Sequence, residues 1–269
     1  MPPTKHDPST QHYIQANRQA WNETAGIHRE VSFSQLLERV QEDSFTTFDD
    51  VEAEIFADIG IADKDVVQLA CNNGRELLSI KKHGAARCVG FDISDDFIEQ
   101  AKALSAAGRL EAEFVRSNVY DIPESYHQSF DLAYITIGAL GWLPDIYGFL
   151  DLVAQLLRPK GQLFIYEMHP MLNMFDGDTG LKVKHSYFKT TPYVEAGSPD
   201  YLDPSQVIES ESYWFHHKVS DILSACLEAG LQIKHYQEYD HDISEVYKDF
   251  AHFDIQPAMC FSLVAQKAN

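Results

Sequence analysis

The chain has 269 residues, 45% of them hydrophobic, which suits one large core or a core with a small cap better than two independent domains. With 41 acidic residues against 21 basic ones, its formal charge of −20 opposes phosphate backbones and anionic lipid, so neither nucleic acid nor membrane is an expected partner. The four cysteines, Cys71, Cys88, Cys226 and Cys260, form no CxxC pair and no apolar run approaches a membrane span, so no metal site is expected and the location expected is cytoplasmic.

In chain order, residues 1 to about 12 read as a loose polar tail and Tyr13–Trp21 as a short helix. A second apolar spacing covers Phe33–Val40, and TFDDVEAEIFADI places Phe48, Val51, Ile55 and Ile59 on one helical face. The period then changes. VVQLA is a short strand, RELLSIKKHG a helix closed by Gly84, RCVGFDIS a second strand, and DDFIEQAKALSAAG a helix stopped by Gly108. EAEFVRSN, FDLAYITI and GQLFIYEMH continue as strands, the last entered through a turn at Pro159–Gly161, with the helix IYGFLDLVAQLL before it. This alternation predicts an α/β, doubly wound, mostly parallel sheet. From Pro170 to about Phe215 the sequence is aromatic-rich and aperiodic, like an inserted cap, and SDILSACLEAG, LQIKHYQEY and MCFSLVAQK close the chain as a helix and an antiparallel edge pair.

Val66–Gly74 ends a strand in a tight turn, and Asp92 ends the next strand 18 positions after Gly74, where a carboxylate can accept both hydroxyls of a ribose. An ordinary connection is the plain alternative. A nicotinamide site lacks its GxGxxG, and no GxxxxGK[ST] loop is present for triphosphates.

Five ordered segments resemble the class I S-adenosylmethionine-dependent methyltransferases. VVQLACNNGRELL is similar to their first motif, with Ala70, Asn72 and Gly74 at the three usual glycine positions; VGFDIS resembles the second and FVRSNVYDIP the third. FDLAYITIGALGWLPD and LLRPKGQLFIYEMHP resemble the fourth and fifth. WNETAGIH and YWFHH more weakly resemble the flanks of stand-alone bacterial small-molecule methyltransferases. The resemblance implies a seven-stranded Rossmann-like fold with a helical lid at residues 1–46, a cofactor-binding core at 47–169, a cap at 170–216, and a helix and strand pair at 217–269 that complete the core.

It also implies S-adenosylmethionine as cofactor, bound by Ala70, Cys71, Asn72, Asn73, Gly74, Asp92, Ile93, Asn118, Val119, Thr136 and Trp21, and a small-molecule methyl acceptor. Trp142, Tyr134, His28 and Tyr213 are the expected pocket residues, and a homodimer stays open. His169 beside Glu167 is the expected base, since a neutral nucleophile must lose a proton and imidazole titrates near neutrality. A cofactor-binding regulatory or catalytically degenerate protein is the alternative, motivated by the eroded glycine loop.

Overall fold

The amino-terminal helix α1 runs Pro8–Val31, which corrects the expected loose tail and short Tyr13–Trp21 helix. Pro8 sits in the first turn, where its missing N–H costs nothing. Poor helix formers inside α1 are held from outside it. The Asn17 side chain accepts from the backbone N–H of Tyr213 at 2.7 Å and donates to its C=O at 2.9 Å, while Asn22 accepts from the Ser94 hydroxyl at 2.7 Å. This computed structural model describes residues 4, 7–176, 180–244, 246, 247, 250 and 256–269, so residues 1–3, 5 and 6 of the expected tail and 177–179 of the expected cap lie outside the described residues.

Two helices follow, α2 (Phe33–Arg39) and α3 (Asp50–Ile59). The start of α3 is fixed by a capping box, in which Asp49 accepts from Glu52 N–H and Glu52 accepts from Asp49 N–H. Then come β1 (Asp65–Leu69), α4 (Arg75–Lys82), β2 (Arg87–Asp92), α5 (Asp95–Gly108), β3 (Glu113–Arg116), β4 (Phe130–Ile135), α6 (Ile146–Leu156) and β5 (Leu157–Met168). Gly108 is the last residue of α5 rather than its left-handed stop: Arg109 takes that conformation, at φ 53°, while Gly108 lets Val40 approach closely. Strand β5 begins at Leu157 and runs through the expected turn, with Lys160 at φ 64°.

The insert holds three short antiparallel pairs: β6 (Phe175–Asp176) with β7 (Gly180–Val183), β8 (Tyr193–Glu195) with β11 (Ser212–Trp214), and β9 (Ser198–Pro199) with β10 (Val207–Ile208). Helix α7 (Val219–Glu228) and strands β12 (Leu231–Tyr239) and β13 (Cys260–Lys267) close the chain.

The central sheet has the order β12-β13-β5-β4-β1-β2-β3. Strands β3, β2, β1, β4 and β5 are mutually parallel, and β13 and β12 add antiparallel at one edge, the seven-stranded Rossmann-like arrangement expected. Apolar residues cover both faces. Val67, Leu69, Phe91 and Ile135 pack with α6 and α7 residues, whereas Val66, Leu132 and Tyr134 pack with α3, α4 and α5 residues. Strand order reverses around β1, so the connections after β1 and β4 diverge and leave a crevice at the strand tips. Among the described residues no helix is long and apolar enough to cross a membrane.

Candidate functional site

The connection after β1 keeps a glycine-like backbone with mostly other residues. Ala70, Asn72 and Gly74 have φ of 54°, 51° and 73°, so all three occupy left-handed space. For Ala70 this costs about 1–2 kcal/mol; asparagine tolerates it better because its side chain bonds locally, and here Asn72 Oδ1 accepts from Asn73 N–H at 2.7 Å. Gly74 must be glycine, because a Cβ there would lie 2.3 Å from the Phe114 ring. Cys71 is fully buried between these turns, and its N–H donates to the Phe91 carbonyl, stitching the loop to β2.

Asp92 ends β2 facing this loop. Its Oδ2 accepts from Asn72 N–H at 2.7 Å and its Oδ1 from Ser94 N–H at 2.8 Å. Burial nevertheless pushes its pKa up to about 6, against the lowering effect of those backbone bonds. The carboxylate's hydrogen bonds come from backbone N–H groups, those of Asn72, Ser94 and Ile93. Next to it lies a cavity of about 230 Å³ lined by Ile93, Ser117, Asn118 and Asp121 on the sheet side and by Gln11, Ile14, Gln15 and Arg18 of α1 above. Asn118 is oriented by its own turn, accepting from Tyr120 N–H and donating to Asp121. Val119 is buried in the core beneath.

Helix α1 is fastened across the strand tips. Arg18 donates to Asp95 at 2.5 and 2.9 Å, and Gln100 donates to the Ala25 carbonyl. Its far side is tied to the insert through Asn17 and through Glu23, whose carboxylate accepts from the N–H groups of Glu209 and Ser210. His28 pairs with Asp200 at 3.2 Å, with the two side chains 5% and 0% exposed. Between α1, the insert and the segment after β4 lies a second cavity of about 500 Å³, with Ala20, Trp21, Thr24, Trp142, Met168 and Trp214 in its walls.

The expected residues therefore divide. Ala70–Gly74, Asp92, Ile93 and Asn118 converge on the crevice and the smaller cavity, and Thr136 follows β4 at the same edge. Trp21 and Trp142 meet in the larger cavity, their rings 5.1 Å apart.

Four other residues have different partners. Tyr134 points to the α3 face of the sheet, bonds Glu52 and packs on Phe56 and Phe164, because successive strand residues face opposite ways. Tyr213 packs on Tyr13 and Phe215 and bonds Glu211, and His28 is committed to Asp200. Glu167 accepts from the N–H groups of Gly138 (2.6 Å), Ala139 (2.9 Å), Leu140 (3.0 Å) and Met168 (2.8 Å).

Of the expected pair, His169 also has structural partners: Nε2 meets Glu238 at 3.1 Å and Nδ1 accepts from Met171 N–H. Neither Glu167 nor His169 lines the larger cavity. The α1 residues Gln11, Ile14, Gln15 and Arg18 were missed, although their i, i+3, i+4, i+7 spacing marks one helical face.

Residues 66–161 match the model of the methyltransferase domain family. No curated protein matches the chain. A methyltransferase from Mesorhizobium loti, dependent on S-adenosylmethionine, superposes with a TM-score of 0.56 at 21% identity, covering 80% of this chain and 96% of that one. The geranyl diphosphate C-methyltransferase of Streptomyces coelicolor, solved with S-adenosylhomocysteine, gives 0.55 at 12%, covering 81% and 79%. The [4+2]-cyclase SpnF gives 0.55 at 14%, covering 92% and 97%. At these identities the likenesses establish a shared fold.

Proposed function

We propose that this chain, whose residues 66–161 match the methyltransferase domain family, is a class I S-adenosylmethionine-dependent methyltransferase that transfers a methyl group to a small molecule held in the larger cavity. The observation that carries this reading is the buried Asp92 carboxylate at the tip of β2, bonded to Asn72 N–H and facing a loop with three left-handed residues. Asp92 would accept the two ribose hydroxyls, Ile93, Asn118 and Val119 would receive the adenine, and Ala70, Cys71, Asn72, Asn73 and Gly74 would meet the amino-acid end with backbone groups. Bound S-adenosylmethionine supplies an electrophilic methyl on a sulfonium, open to in-line displacement. The protein's part is positioning and desolvation, with Trp21 and Trp142 excluding water from the side the acceptor enters.

A second reading, a cofactor-binding protein without methyl transfer, draws support from the structural commitments of Glu167 and His169 and from the likeness to a [4+2]-cyclase. Calorimetry with S-adenosylhomocysteine and with NADH tests the cofactor. Saturable binding of the former alone is the expected outcome, and NADH binding without it would overturn the assignment. Methylated product from any acceptor then rules out the second reading.

A further inference from the structure

The chain contains three tryptophans, and all three line the larger cavity, although Trp21 comes from α1, Trp142 from the segment after β4 and Trp214 from the insert. Tyr193, Tyr201 and Tyr247 add three more rings to the same walls. The indoles are braced. Trp142 meets Trp21 at an interplanar angle of 79° and Trp214 at 90°, with centroids 5.1 and 5.0 Å apart. Trp214 lies so close over Gly141 that a Cβ there would sit 2.2 Å from its ring. Rings already fixed by packing lose little freedom when a ligand arrives, and flat faces reward flat partners through stacking.

Charge narrows the class further. Among the described residues one lysine, Lys184, one histidine, His185, and one carboxylate, Glu195, line the cavity, so at neutral pH these side chains give no surplus of positive charge for a phosphate or carboxylate, and the formal charge of −20 opposes anions as a whole. A volume of about 500 Å³ suits a drug-sized molecule.

We infer that the acceptor is a neutral, planar aromatic molecule carrying a hydroxyl or amine, stacked among the tryptophans. The inference rests on the methyltransferase reading. Transfer to such a group forms a C–O or C–N bond as the sulfonium C–S bond breaks, and the hydroxyl or amine proton passes to water.

The test is calorimetric titration of the full chain, with and without saturating S-adenosylhomocysteine, by 2-naphthol and 7-hydroxycoumarin against the size-matched 1-decanol and inorganic pyrophosphate. The flat probes are expected to bind at least about tenfold tighter than decanol, with no binding of pyrophosphate. Trp214→Ala should weaken the flat probes about tenfold while S-adenosylhomocysteine binding persists, and Tyr201→Leu, at a half-exposed position, should weaken them about threefold. Decanol binding as tightly as naphthol, binding of pyrophosphate, or no flat-probe binding at about 1 mM overturns the aromatic assignment. Failure of S-adenosylhomocysteine to bind overturns the methyltransferase reading instead, while the probe series without it still reads the cavity's selectivity.

Discussion

Asp92 at the tip of β2 and Glu167 near the tip of β5 are both buried carboxylates at the carboxyl edge of the sheet, and burial raises both pKa values, to about 6 and about 7. Their surroundings differ. Glu167 accepts from four backbone N–H groups, three of them in the connection after β4, which it thereby fixes, whereas Asp92 bonds fewer, at Asn72, Ser94 and Ile93, around the mouth of the crevice. Residue type and position at a strand end therefore do not assign a role. The number of donors already spent does.

The largest effect should come from Glu167→Ala, which leaves buried amides of the 138–140 segment without an acceptor. A loss of about 3–5 kcal/mol of folding stability is expected in urea denaturation; a loss under about 1 kcal/mol would erase the contrast with Asp92. For Asp92→Ala the effect should fall on the ligand. Two hydrogen bonds to a charged group, at about 1.5 kcal/mol each, correspond to roughly a 100-fold weaker affinity for S-adenosylhomocysteine, and stability should fall by about 1–3 kcal/mol, less than in Glu167→Ala, because the N–H groups of Asn72 and Ser94 lose their acceptor. Equal affinity in the two proteins would sink the role given to Asp92.

Acidity separates the two sites further. The folded pKa of Asp92, about 6, lies above the unfolded value of roughly 3.9, so its ionised form opposes folding fully above pH 6, and that contribution shrinks as pH falls from 6 and is gone below roughly 3.9. Ribose hydroxyls favour the ionised form. Affinity should therefore be flat above pH 7 and fall about tenfold per unit below pH 6, with a proton released on binding near pH 5.5. A profile unchanged down to pH 5 would contradict this.

The smallest effect is expected for Ala70→Gly. Relief of the left-handed strain, about 1–2 kcal/mol, is partly offset by the entropy of glycine, about 0.5–1 kcal/mol, giving a gain of roughly 0.5 kcal/mol in thermal unfolding. Destabilisation by more than about 1 kcal/mol would mean that the Ala70 methyl contributes packing that outweighs the strain.

The two sides of the crevice were unequally legible in the sequence. Strand β1, its turn, α4 and Asp92 lie within one short stretch, so local periodicity and one carboxylate at a strand end were enough to place them, and the seven sheet strands followed from alternation. The extent of the amino-terminal helix did not follow, since local periodicity reached only Tyr13–Trp21 of Pro8–Val31. Helix α1 carries two stripes, with Gln11, Ile14, Gln15 and Arg18 over the smaller cavity and Ala20, Trp21 and Thr24 over the larger. Asparagine, threonine and glycine weaken its local signal, and what holds it is long-range, Asn17 bonding a backbone 196 positions away. The insert's pairs, two to four residues long, are too short to show a period. Alternation along β4 puts Tyr134 and Ile135 on opposite faces, but which face meets α3 depends on distant helices. Three of the four donors of Glu167 come from a segment nearly 30 residues earlier.

The central claim is that the Ala70–Asp92 crevice holds the cofactor, and a crystal structure of the chain with S-adenosylhomocysteine tests it most directly. Both ribose hydroxyls should lie within about 3 Å of the Asp92 carboxylate, with the adenine against Ile93 in the smaller cavity, beneath α1. Ligand density confined to the tryptophan-lined cavity, with the Asp92 oxygens untouched, would contradict it.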